Sequence, residues 1–122
     1  MNDSQKLYFI VMSEAPENSI IRISSSSEEL HEKLHSIKRK EENNGYNLSI
    51  ILTPSNKKLL ISFYKKSDFI EDIHYFQLQV QGEIIFKAYD GFEIGEVVKE
   101  SALHNKLDFF IKKKMCALIL NG

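Results

Sequence analysis

The chain has 122 residues, an ordinary globular balance of 43% hydrophobic and 27% charged residues, and a net charge of −1. That length suits one domain with its own hydrophobic core, and near-neutrality argues against a dedicated nucleic-acid binder. A single cysteine, Cys116, excludes an internal disulfide and fits a reducing cytoplasm, while no basic-then-apolar leader and no apolar run of membrane-spanning length is present.

Read in order, KLYFIVMS (6–13) is apolar at both odd and even positions, which predicts a central strand covered on both faces. SEAPENS predicts a loop and SIIRIS (19–24) a second strand. Ser26 stands three residues before Glu29, a capping-box spacing that predicts a helix reaching about Glu42. Its apolar stripe is Leu30, Leu34 and Ile37, and Asn44-Gly45 would close it.

Four alternating strands are predicted next. In YNLSIILT (46–53) Leu48, Ile50 and Leu52 share a face; Pro54-Ser55-Asn56 reads as a turn; in KLLISFYK (58–65) Leu59, Ile61 and Phe63 share a face. KSDFIED reads as a polar connection. HYFQLQVQ (74–81) turns Phe76, Leu78 and Val80 inward and Tyr75, Gln77 and Gln79 outward. EIIFKAYD (83–90) turns Ile84, Phe86 and Ala88 inward. A slip of one residue reverses every side chain, so Val80 opposite Ile84 requires the odd loop Gln81-Gly82-Glu83.

Past Gly91 the chain reads as irregular to Glu96. Ser101 then opens a helix with the stripe Leu103, Leu107, Phe110 and Ile111, and three lysines, 112–114, sit where the helix dipole favours cations. MCALILNG reads as a closing strand buried on both faces, with Cys116 a packed thiol rather than a nucleophile. The expected fold is α+β: one domain over residues 1–122, a mostly antiparallel sheet of five to seven strands with two main helices packed against it.

One stretch carries a catalytic spacing. HEKLH (31–35) places His31, Glu32 and His35 as a helix does when two histidines hold zinc and a glutamate activates water. At about 100° per residue both histidines point to the flank of the apolar stripe, among Lys33, Ser36, Lys38 and Arg39. Solvent-facing histidines are the favoured reading, with neither metal nor cofactor; a small zinc-dependent hydrolase is the runner-up. For a third zinc ligand the chain leaves Glu71, Asp72 or His74, none of them supported by its spacing.

Charge is distributed in blocks. Residues 33–66 hold eight basic groups against two acidic ones, and residues 67–100 hold eight acidic groups against two basic ones. The order strand, helix, antiparallel meander, helix, terminal strand resembles the immunity proteins of bacterial polymorphic toxin systems, including contact-dependent growth inhibition. The similarity spans roughly residues 46–120 and is densest in YDGFEIGEVVKESALHNKLDFFIKKKMCALIL. Gly91-Phe92-Glu93-Ile94, Ala102, Phe109 or Phe110, and Ala117 to Leu120 match the outline of one large immunity family. The chain lacks that family's prolines around the helix and its tryptophan in the closing strand.

The resemblance implies a cytoplasmic, non-enzymatic monomer that binds one cognate toxin domain in a 1:1 complex and blocks it. A nuclease toxin presents positive charge for its phosphate substrate, so an acidic patch is the expected partner surface: Asp68, Glu71, Asp72, Asp90, Glu93 and Glu96. A secretion chaperone or small adaptor is a third reading.

Overall fold

A computed structural model describes residues 1–39 and 47–120. The fold is α+β, with six strands in one mostly antiparallel sheet of order β2-β1-β3-β4-β5-β6. The strands are β1 (Ile20–Ser24), β2 (Asn47–Ile51), β3 (Tyr75–Val80), β4 (Glu83–Tyr89), β5 (Ile94–Val98) and β6 (Cys116–Ile119). Every pairing is antiparallel except β5 with β6, which run parallel. The helices are α1 (Asp3–Glu14), α2 (Glu28–Leu34), α3 (Pro54–Ser62), α4 (Ser67–Glu71) and α5 (Asp108–Lys112), with 3-10 turns at Phe63–Lys65 and His104–Leu107.

Two predicted strands are helices. Residues 6–13 belong to α1, which opens on a capping box: Gln5 N–H donates to Asn2 Oδ1 at 2.8 Å and Asn2 N–H to Gln5 Oε1 at 2.9 Å. A run apolar at every position satisfies both periods, so the cap decides. Leu7, Tyr8, Val11, Met12 and Ala15 then form the buried stripe. Residues 58–65 fall in α3 and the turn after it, because Thr53 caps the Asn56 N–H and Pro54 takes the first helical position. Leu60 is fully buried, whereas Leu59 and Ile61 are half-buried, so the predicted alternation is absent.

Smaller differences have equally local causes. α2 is capped by Ser27, whose Oγ accepts from Leu30 N–H, and it stops at Leu34. Ser26, the predicted cap, pairs instead with His74. Asn44-Gly45 lies outside the described residues. KSDFIED contains α4. The β3–β4 turn has two residues, Gln81 (φ 51°) and Gly82 (φ 83°), as a primed hairpin turn requires. Val80 pairs with Glu83, and a β-bulge beyond Leu78 returns Phe86 to Leu78, so the odd residue sits in the strand rather than the loop. Ile84 is consequently exposed. Residues 94–98 form a strand where none was predicted, and the helix predicted from Ser101 is a 3-10 turn followed by the short α5.

One core joins helices and sheet. Ile21, Ile23, Ile50, Phe76, Leu78, Phe86 and Val97 cover one face of the sheet and cluster with buried residues of α1 to α5. Arg22, Tyr75, Gln77, Lys87, Tyr89 and Glu96 alternate with them on the opposite face and are half-buried. No helix among the described residues is long and apolar enough to cross a membrane.

β6 is a strand, but only its first residue is core. Cys116 is buried, while Leu118 and Leu120 are 41% and 78% exposed. Burial, with Glu96 adding to it, pushes the Cys116 thiol up to about 11. The stability this brings is complete below the unfolded thiol's value of roughly 8.5 and is lost as pH rises through the folded value. Urea midpoints should therefore fall between about pH 9 and 11, and less steeply in Cys116→Ala. Maleimide labelling of native Cys116 near neutral pH should be slow compared with unfolded chain.

Candidate functional site

The six predicted acidic residues separate into three places. Asp68 and Asp72 line a cleft of about 320 Å³ between α2 and α4 that also holds Glu29, Lys33, Lys65 and Lys66, so lysines offset their charge. Glu96 lies on the open face of the sheet. Its Oε1 accepts from Tyr89 Oη at 2.8 Å, and that bond pushes the tyrosine up to about 12. Glu71, Asp90 and Glu93 are brought together around a cleft of about 330 Å³ with Asn2, Ser4 and Gln5 on its opposite side. That side is the first turn of α1, the positive end of the helix dipole.

The trio holds its place because the β4–β5 turn is pinned to the α4–β3 connection. Asp90 N–H donates to His74 O at 3.0 Å and Gly91 N–H to Ile73 O at 2.8 Å. Asp90, Gly91 and Phe92 take φ of 52°, 67° and 65°, a left-handed run that is costly for the two side-chain-bearing residues. Phe92 is what holds it. Its fully buried ring lies 4.9 Å from Phe76, 5.4 Å from Tyr8 and 6.1 Å from Phe86, centroid to centroid. Gly91 presses against α4: a Cβ there would stand 2.9 Å from the Cα of Glu71. Glu71 and the turn acids are therefore in fixed register, although some twenty residues separate them in sequence.

Beside this acidic rim the open face carries an aromatic patch. Tyr75 pairs with Tyr89 across β3 and β4, and Tyr89 with Ile94 across β4 and β5. The two rings are 5.5 Å apart, and Ile94 is 52% exposed. Tyr75 donates to Gln77 Oε1 at 2.9 Å. Burial first, then the nearby Glu96 charge, raises the Tyr75 hydroxyl above the ordinary tyrosine value, so both tyrosines stay neutral donors at physiological pH. The outward positions of Tyr75 and Tyr89 follow from strand alternation; their approach to Asp90 and Glu93 depends on a turn that sequence reasoning left irregular.

HEKLH is placed differently from a metal helix. His35 is the C-terminal cap of α2 and exposed. His31 Nε2 stands 2.7 Å from the Ser25 carbonyl oxygen, which can only accept, so that nitrogen carries a proton and offers no lone pair. His31, Glu32 and His35 line a shallow depression with Lys38, a cation where a metal would need anions. Among the described residues no group of three His, Cys, Asp or Glu side chains is arranged to hold a metal ion. Of the remaining histidines, His74 Nε2 meets Ser26 Oγ at 3.1 Å, and His104 Nδ1 accepts from the Glu100 N–H at 2.9 Å. Compared with family models, curated proteins and solved structures, the chain gives no match.

Proposed function

We propose that this chain is an immunity protein, a non-catalytic inhibitor that binds one cognate toxin domain through the acidic rim of Glu71, Asp90 and Glu93 and the adjoining Tyr75–Tyr89–Ile94 patch. The observation that carries the reading is the pinned β4–β5 turn, which spends left-handed backbone at two non-glycine positions to hold three carboxylates around one cleft, in a turn that joins half-buried Tyr89 to exposed Ile94. A partly desolvated aromatic centre with a charged rim is the anatomy of a protein-recognition surface. Carboxylates on a rigid platform attract a cationic substrate-binding surface, the kind a nuclease presents. Glu96 lies within the patch, bonded to Tyr89, and Asp68 and Asp72 line a separate cleft and contribute to the long-range field.

The test is association with the toxin domain encoded beside this chain, followed across a salt series. The triple variant Glu71→Gln, Asp90→Asn, Glu93→Gln removes charge while keeping size, and asparagine tolerates the left-handed position. Its association rate should fall by roughly tenfold to a hundredfold at low salt, with the loss shrinking as salt screens the wild type. Unfolding should be unchanged. Reversing Lys38 and Arg39 beyond α2 should matter far less. A tight complex indifferent to salt and to the triple variant would discard the acidic rim, and absence of any complex would discard the immunity reading.

A further inference from the structure

The two edges of the sheet are finished differently. On the β2 side Lys38 bridges Ile50, and Arg39 N–H donates to Ser49 O at 2.7 Å, so the chain's own backbone lies along that edge. On the other side β6 pairs only with β5 among the described residues. Gly95 N–H donates to Met115 O at 2.7 Å and Lys99 N–H to Ile119 O at 2.8 Å. Odd-numbered residues of β6 therefore face β5, and by alternation Cys116 and Leu118 turn their N–H and C=O groups outward; Cys116 is buried, so the open part of the edge begins at Leu118. A row of such groups is a template for another extended chain, since only a strand can satisfy them in sequence.

The side chains along this edge match that use. No charge and no proline occurs from Met115 to Leu120, and Leu118 and Leu120 are left uncovered on the outermost strand. Cations stand at both ends: Lys114 lies two residues before β6 begins, and Lys99 is bonded at its far end. Both are exposed, and neither takes part in an ion pair among the described residues.

We propose that β6 accepts, as a seventh strand, an extended segment of a partner protein that has alternating apolar residues and an acidic residue near each end. A second copy of the chain fits worse. Antiparallel self-pairing sets the start of one β6 beside the end of the other, which brings Lys114 of each copy toward Lys99 of its neighbour. The same two lysines make acidic ends complementary. This surface stands independently of the carboxylate rim and of the toxin reading.

The test uses the full chain and a fluorescein-labelled peptide, Glu-Val-Thr-Val-Thr-Val-Glu, followed by anisotropy. Saturable binding is expected, about tenfold weaker when lysines replace the terminal glutamates, and abolished by a central proline. Leu118→Pro removes an outward N–H and leaves the β5 ladder intact. It should abolish peptide binding with the far-UV spectrum and urea midpoint retained. Should that variant unfold, Lys99→Glu with Lys114→Glu decides the matter, because it should reverse the preference toward the lysine-ended peptide. Equal affinity for the two peptides, no saturable binding, or sedimentation as a dimer would overturn the proposal.

Discussion

Replacing Phe92 with alanine is expected to lower unfolding free energy by about 3–5 kcal/mol, the usual range for emptying a phenylalanine site in a close-packed core. The ring touches Tyr8 from α1, Phe76 from β3 and Phe86 from β4, so its removal leaves a cavity that no single element can close. It also loosens the left-handed turn, leaving it held by the Asp90 and Gly91 backbone hydrogen bonds and the Gly91–Glu71 contact. Urea titration checks the first effect, with a lower midpoint at unchanged slope. The second should appear as weaker partner binding at urea-free, fully folded conditions.

Gly91→Ala is expected to cost about 2–5 kcal/mol, combining the left-handed penalty of roughly 1–2 with overpacking of roughly 1–3. The new methyl would meet backbone rather than a movable side chain, namely the Glu71 Cα at 2.9 Å and the Ile70 and Glu71 carbonyl oxygens at 3.2 Å. Gly82→Ala supplies the comparison. Gly82 has φ of 83° but nothing within 4 Å of the added carbon, so only the strain of about 1–2 kcal/mol applies. The difference between the two variants isolates the contact that ties the β4–β5 turn to α4. If Gly91→Ala proves no worse than Gly82→Ala, the turn is not held against α4 in solution.

The fold class was legible because four strands alternate or run apolar over lengths that helices seldom use. Ile20–Ser24, Asn47–Ile51, Tyr75–Val80 and Glu83–Tyr89 all lie within the segments read as strands. The two lost strands share one cause: an apolar run fits either period, and the cap before it decides for helix. Asn2 with Gln5, and Thr53 followed by Pro54, are start signals for helices and stand in plain view. β5 is not legible because Ile94, Gly95 and Glu96 alternate poorly, and the glycine leaves room for the Phe86 ring, which a Cβ there would meet at 3.2 Å. Of the site, the acidic residues could be named from charge alone. Their grouping could not, since it depends on Phe92 adopting a left-handed backbone that sequence preference places on glycine or asparagine.

The Tyr8–Phe92 contact also sets a clock for synthesis. The α1 stripe of Leu7, Tyr8, Val11 and Met12 leaves the ribosome ahead of the residues that cover it, and the ring that seals Tyr8 follows 84 residues later. At about 5–20 residues per second, that interval is roughly 4–17 s. Phe69 and the Leu60 carbonyl, which also engage Tyr8, arrive earlier, the carbonyl 52 residues after Tyr8. During that wait the nascent helix presents a sticky face to the crowded surroundings of the exit tunnel, and a holding chaperone that binds apolar helices should be found on truncated chains ending before residue 92 and absent from those that extend past β6.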